Sequence, residues 1–221
     1  MSENIKCTKM MKLYAVTDRA WTERMSLIQQ IETALKGGIT CLQLREKELD
    51  FDSFLSEAIE VKKLCDKYNV PLIINDNIEI AIKCDADGIH AGQKDMSADK
   101  IRNIIGKNKI LGISASTVQQ AVNAQKAGAD YIGTGAVFTT ATKQNTVPVS
   151  FDVLSQICSS VSIPVTAIGG ITEKNIYRLS GSGIDGVAVV SAIFGADDIE
   201  SACRRLLTMS ASVTDKGKSK L

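Results

Sequence analysis

The chain has 221 residues, enough for one sizeable hydrophobic core. Its 26 Lys and Arg against 25 Asp and Glu leave a net charge of +1, which excludes a bulk attraction to nucleic acid or an anionic membrane. A single histidine excludes multi-histidine metal centres, and six scattered cysteines with no C-x-x-C pair exclude zinc ribbons and dithiol redox motifs. No apolar run approaches the roughly 18 residues of a membrane span. The first ten residues are polar and lack the apolar stretch of a signal peptide. A cytoplasmic protein with reduced, apolar-packed cysteines is expected.

Short β-branched stretches alternate with longer amphipathic ones throughout. Strands are predicted at 13–17, 40–44, 72–75, 88–90, 110–114, 131–133, 165–168 and 186–190. Helices are predicted at 26–36, 51–68, 78–83, 98–105, 118–127, 151–159, 175–180 and 199–207. Asp50, Ser97 and Thr172 are placed to cap helices. Gly37-Gly38, Gly128 and Gly181 stand where helices should stop. Strand starts recur about every 25 residues, close to the minimum for a strand, a crossover helix and two loops. Eight such units fit a single α/β domain, a (β/α)8 TIM barrel of eight parallel strands ringed by helices. An open doubly wound sheet is the rival, but its Gly-rich first turn is missing: the first turn reads Thr17-Asp18-Arg19. The barrel is assigned to 11–209, a polar extension to 1–10 and a frayed tail to 210–221.

Barrel chemistry sits at the C-terminal ends of the strands. Asp76 and Asp95 fall there in neighbouring loops, and two carboxylates without imidazoles suit a hard cation such as Mg²⁺. Each could equally cap its own loop. Arg45, Lys47 and Lys143 can supply cations for a diphosphate, although Arg45-Glu46-Lys47 also reads as a solvated charge run. Gly169-Gly170 and Val190-Ser191 suggest a second anion site after strands seven and eight. His90 ends an apolar strand and reads more readily as a hydrogen-bonded wall residue than as an acid or base. The stretch 133–138 has two glycines of a dinucleotide fingerprint and lacks the third.

These residues together resemble the thiamine-phosphate synthase family. The resemblance is carried by Tyr-Ala-Val-Thr-Asp (14–18), Gly-Ile-Thr-Cys-Leu-Gln-Leu-Arg-Glu-Lys (38–47), Ile-Asn-Asp (74–76) and Asp-Gly-Ile-His-Ala-Gly-Gln (87–93) with Asp95. It continues through Gly-Ile-Ser (112–114), Thr-Ala-Thr-Lys (140–143), Ala-Ile-Gly-Gly-Ile (167–171) and Asp-Gly-Val-Ala-Val-Val-Ser (185–191). It implies a transferase that joins a hydroxymethylpyrimidine diphosphate to a hydroxyethylthiazole phosphate, giving thiamine phosphate and pyrophosphate. By the resemblance, Gln43, Leu44, Arg45, Glu46, Lys47, Asn75, Ser114 and Lys143 would hold the pyrimidine diphosphate. Arg45, Lys47, Lys143 and Ser114 would be the catalytic groups among them. Thr140, Ala141, Thr142, Gly170, Val190 and Ser191 would hold the thiazole phosphate, and Asp76 and Asp95 the cofactor Mg²⁺. The partners are then these two small molecules, with neither nucleic acid nor membrane; a homo-oligomer is compatible with the sequence and not specified by it. Lys94 departs from the family's usual acidic residue before Asp95, and the loop after residue 135 lacks the family's prolines.

Rival readings are a thiazole tautomerase on a similar barrel, another phosphate-handling barrel enzyme, and a phosphate-ligand sensor without turnover. The first needs neither metal nor diphosphate, so the aspartate pair and the cations weigh against it. The second would need an identifiable acid/base pair.

Overall fold

The computed structural model describes residues 3–139 and 148–215. Eight parallel strands close into a barrel in sequence order: β1 (Leu13–Val16), β2 (Cys41–Leu44), β3 (Leu72–Asn75), β4 (Gly88–Ala91), β5 (Ile110–Ser114), β6 (Tyr131–Gly135), β7 (Val165–Ile168) and β8 (Gly186–Val189). The closing pair is β1 with β8, Tyr14 opposite Ala188.

Around the barrel run α2 (Leu27–Lys36), α3 (Phe51–Tyr68), α4 (Ile78–Lys83), α5 (Ala98–Ile105), α6 (Val118–Lys126), α7 (Phe151–Ser160), α8 (Ser191–Phe194) and α9 (Ile199–Asp215). A further helix, α1 (Glu3–Met10), precedes β1. Helix starts are locked by side-chain caps. Ser26 and Gln29 form a reciprocal capping box, and Asp50, Asn77, Thr117 and Ser150 each accept an amide N–H from the first turn that follows. Ser97 precedes α5 as expected but makes no such bond. Thr172 caps no helix: the unit after β7 holds only a 3-10 turn, Ile176–Leu179, entered through Asn175. There the Asn175 carboxamide accepts from Thr172 N–H and donates to Gly170 O, drawing the chain into a tight turn ahead of the 3-10 segment.

Strand alternation sorts the core into two layers. Leu13, Ala15, Leu42, Leu44, Leu72, Ile74, Ile89, Leu111, Ile132, Val165 and Val187 face outward and bury the helices' apolar faces. Tyr14, Val16, Cys41, Ile73, Tyr131 and Ala188 point into the lumen. Cys7, Met10 and Met11 join this inner layer, so α1 plugs the N-terminal end of the barrel and is part of its core. The tail also differs from expectation. The last helix continues to Asp215, because Ser210, Val213 and Thr214 are buried and the Ser210 hydroxyl donates to Lys12 O. Residues 216–221 lie outside the described residues. Among the described residues no helix is long and apolar enough to cross a membrane. The six cysteines are free thiols, and burial pushes Cys7, Cys65 and Cys203 up to about 12.

Candidate active site at the C-terminal mouth

The inward residues at the ends of β2 to β5 form one polar rim. Gln43 is buried in the upper lumen, Asn75 and Ser114 are half-exposed, and His90 lies between them. A hydrogen-bonded chain crosses the lumen beneath this rim. Gln43 Nε2 donates to Tyr14 Oη at 2.7 Å, Tyr14 Oη lies 2.8 Å from Tyr131 Oη, and Tyr131 Oη lies 2.9 Å from His90 Nδ1. His90 Nε2 then meets Ser114 Oγ at 2.9 Å. The lone histidine is thus a hydrogen-bonded wall residue, as expected. Burial pushes both phenols well above the ordinary tyrosine value, so each keeps its one hydrogen. Small residues make room for the rings: Gly133 lies under the His90 imidazole, where a Cβ would come within 3.0 Å of Cε1.

Parity along β2 divides the sequence-predicted cluster. Leu44 is fully buried in the outer layer. Glu46 is also turned away from the mouth. Its carboxylate is buried and accepts from Arg19 Nε at 2.8 Å, while the same guanidinium donates to Glu57 on α3. Burial is the largest influence on Glu57 and raises it above the usual carboxylate range despite Arg19. Neither Leu44 nor Glu46 therefore offers a side chain to a ligand. Arg45 does remain near the mouth. Its amide N–H donates to the buried Thr17 hydroxyl at 2.9 Å, and its guanidinium stands 3.8 Å from the Asp18 carboxylate. Lys47 is exposed.

Asp76 and Asp95 are both exposed, on adjacent loops. Asp76 has φ +62°, in the left-handed region that Asp tolerates better than most residues, and its amide donates to His90 O at 2.8 Å. That bond ties the β3 loop to β4. Asn75 Nδ2 donates to the Asp76 carboxylate at 2.6 Å. Asp95 turns back so that one carboxylate oxygen accepts from Gly92 N–H at 2.7 Å. Among the described residues no cluster of three or more His, Cys, Asp and Glu could hold a metal ion. The donors are two carboxylates, all oxygen, which fits a hard cation that keeps waters or substrate oxygens as its other ligands.

Opposite them, Gly169 and Gly170 follow β7 with φ +101° and +66°. A Cβ on Gly170 would meet Thr139 O at 2.4 Å, so glycine is required there for backbone packing against the β6 loop as well as for its φ. Val190 is half-buried and Ser191, the first residue of α8, is exposed. Thr140, Ala141, Thr142 and Lys143 lie outside the described residues. Of the residues read from strand ends, Gln43, Asn75, Asp76, Asp95 and Ser114 come together at the barrel mouth, whereas that reading did not single out Tyr14, Tyr131 or the Arg19–Glu46–Glu57 clamp. Strict alternation from Gln43 was the available signal that Leu44 and Glu46 face away.

Comparisons with known proteins agree with this architecture. The family model described as thiamine monophosphate synthase matches residues 13–193. A thiamine-phosphate synthase of Clostridium tetani is 46% identical over 205 residues, covering 93% of this chain and 96% of its own length. One from Ruminiclostridium cellulolyticum is 51% identical over 195 residues, covering 88% and 93%. The solved structure of a thiamine phosphate pyrophosphorylase from Pyrococcus furiosus superposes with a TM-score of 0.85 at 33% identity, covering 93% of this chain and 98% of that one. The barrel, its polar mouth and these matches make the chain an enzyme of the thiamine monophosphate synthase family.

Proposed function

We propose that the enzyme condenses an aminopyrimidine methyl diphosphate with a thiazole ethyl phosphate to give thiamine phosphate and pyrophosphate. The observation that carries this reading is the gathering of Gln43, Asn75, Asp76, Ser114 and Arg45 at one barrel mouth in a chain of that family. Asp76 and Asp95 would hold Mg²⁺, which supplies charge neutralisation for a departing diphosphate.

The chain's own groups then bind and orient. Arg45, already fixed by Thr17 and Asp18, presents a guanidinium to the diphosphate oxygens, with Lys47 and Lys143 adding mobile charge. Gln43, Asn75 and Ser114 hold the pyrimidine. The ring's amino group releases electron density as the methylene C–O bond breaks, and the diphosphate leaves with that electron pair. The thiazole nitrogen then forms the new C–N bond. No protein nucleophile is required, consistent with a histidine committed to the lumen chain. Thr140 to Thr142, Gly170, Val190 and Ser191 would seat the thiazole phosphate. In this reading Leu44 acts by packing and Glu46 by holding Arg19, so neither is a ligand.

The test is to incubate purified protein with both substrates, with Mg²⁺ or with a chelator, and assay thiamine phosphate. Mg²⁺-dependent product is expected. No product from folded protein would overturn the reading.

A further inference from the structure

We infer that Tyr14, Tyr131 and His90 are positioning residues that fix the hydrogen-bond polarity of Gln43 and Ser114, so that the mouth presents an acceptor at one end of the chain and a donor at the other. Each link follows from the number of hydrogens its groups carry. Gln43 Nε2 carries only hydrogens, so Tyr14 Oη accepts there. The one Tyr14 hydrogen is then directed at Tyr131 Oη, 2.8 Å away, and the Tyr131 hydrogen at His90 Nδ1. An imidazole that accepts at Nδ1 carries its proton on Nε2 and donates to Ser114 Oγ. Gln43 Oε1 is left to accept and the Ser114 hydrogen to donate, both on the ligand side.

Turning the Gln43 amide over would reverse every link: Ser114 would donate inward and the imidazole proton would move to Nδ1. The two ends are therefore coupled, and the Gln43 Nε2–Tyr14 bond selects the state in which Gln43 accepts and Ser114 donates. Both phenols stay protonated because they are wholly buried, so no link is lost by ionisation. An aminopyrimidine carries an N–H donor beside ring-nitrogen acceptors, which match a fixed acceptor and a fixed donor in one ring orientation only. This specificity role rests on the proposed pyrimidine diphosphate substrate; the polarity itself does not.

His90 is the sole histidine, so its tautomer can be read by ¹⁵N–¹H NMR of the full-length protein without interference. The expected result is a neutral ring protonated at Nε2 in the wild type, giving way to a tautomer mixture in Tyr131→Phe. In steady-state kinetics, Tyr131→Phe and Tyr14→Phe should each raise KM for the pyrimidine diphosphate about tenfold, the double variant should be no worse than either, and KM for the thiazole phosphate should stay within about twofold. Thermal midpoints identify any variant that has lost its fold; Tyr14→Phe then stands in for Tyr131→Phe. A wild-type ring protonated at Nδ1, or unchanged KM values in both folded variants, overturns the inference. A wild type with the Nε2–H ring but no turnover supports the polarity and overturns the substrate reading instead.

Discussion

The ring of Tyr131 fills the space that a side chain at Gly112 would need: a Cβ on Gly112 would lie 2.1 Å from Tyr131 Cζ and 2.2 Å from its Oη. The two residues sit on neighbouring strands, with Gly112 directly opposite Tyr131 in the β5–β6 ladder. A wholly buried phenol can lie across the lumen only because its neighbour has no side chain.

Gly112→Ala should therefore destabilise the fold by about 2 kcal/mol or more through overpacking, and should displace the Tyr131 hydroxyl from His90. Urea denaturation with the wild type as reference checks the first part. An unchanged midpoint would show that the lumen can relax around a methyl group.

Asp76→Asn keeps a residue that tolerates positive φ while removing the charge. If Asp76 holds the cation, Mg²⁺-dependent kcat/KM should fall about 100-fold or more, with the thermal midpoint nearly unchanged because the side chain is exposed. Turnover equal to wild type would remove Asp76 from the metal site.

The Arg19–Glu46–Glu57 clamp gives a pH prediction. Burial raises Glu57 above its unfolded value, so between those two values the native state binds more protons than the unfolded state. Stability from this group is complete at acid pH below the unfolded value, near 4.5, and is lost as pH rises through the higher native one. Glu57→Gln stays neutral throughout, so its stability relative to wild type should increase as pH rises from about 4.5 to 7. Denaturation midpoints of both proteins across that range decide it. A difference independent of pH would contradict the raised value.

The end of α9 is expected to be structural. Truncation after Met209 removes the buried Ser210, Val213 and Thr214 and the bonds that Ser210 and Thr214 make with Lys12. It should cost about 2 kcal/mol on the burial of Val213 alone, read as a lower thermal midpoint. A midpoint equal to the full chain would restore the view of 210–215 as a dispensable tail.

Much of the barrel was legible because each unit repeats one pattern: a short β-branched run, a cap and an amphipathic stretch. The bounds of β3, β5, β7, α3, α4 and α5 coincide with the predicted ones. The polar mouth was legible where polar residues end apolar strands, as at Gln43, Asn75 and Ser114. What escaped was set by tertiary packing. Tyr14 and Tyr131 are 117 residues apart and read locally as apolar strand positions; only closure of the barrel brings their hydroxyls together. The polar sequence of α1 hides the few side chains, Cys7 and Met10, that plug the lumen. Glu46 looked like part of a cationic diphosphate grip because charge was read along the chain, whereas the fold sends its carboxylate outward to Arg19.

The central claim is a balanced condensation, and ³¹P NMR of one reaction mixture tests it most directly. With Mg²⁺, the signals of the pyrimidine diphosphate and thiazole phosphate should decline together while pyrophosphate and thiamine phosphate grow in equal amounts, and a chelator should stop all four changes. Pyrophosphate appearing without thiamine phosphate, or no change with folded protein, would contradict the account.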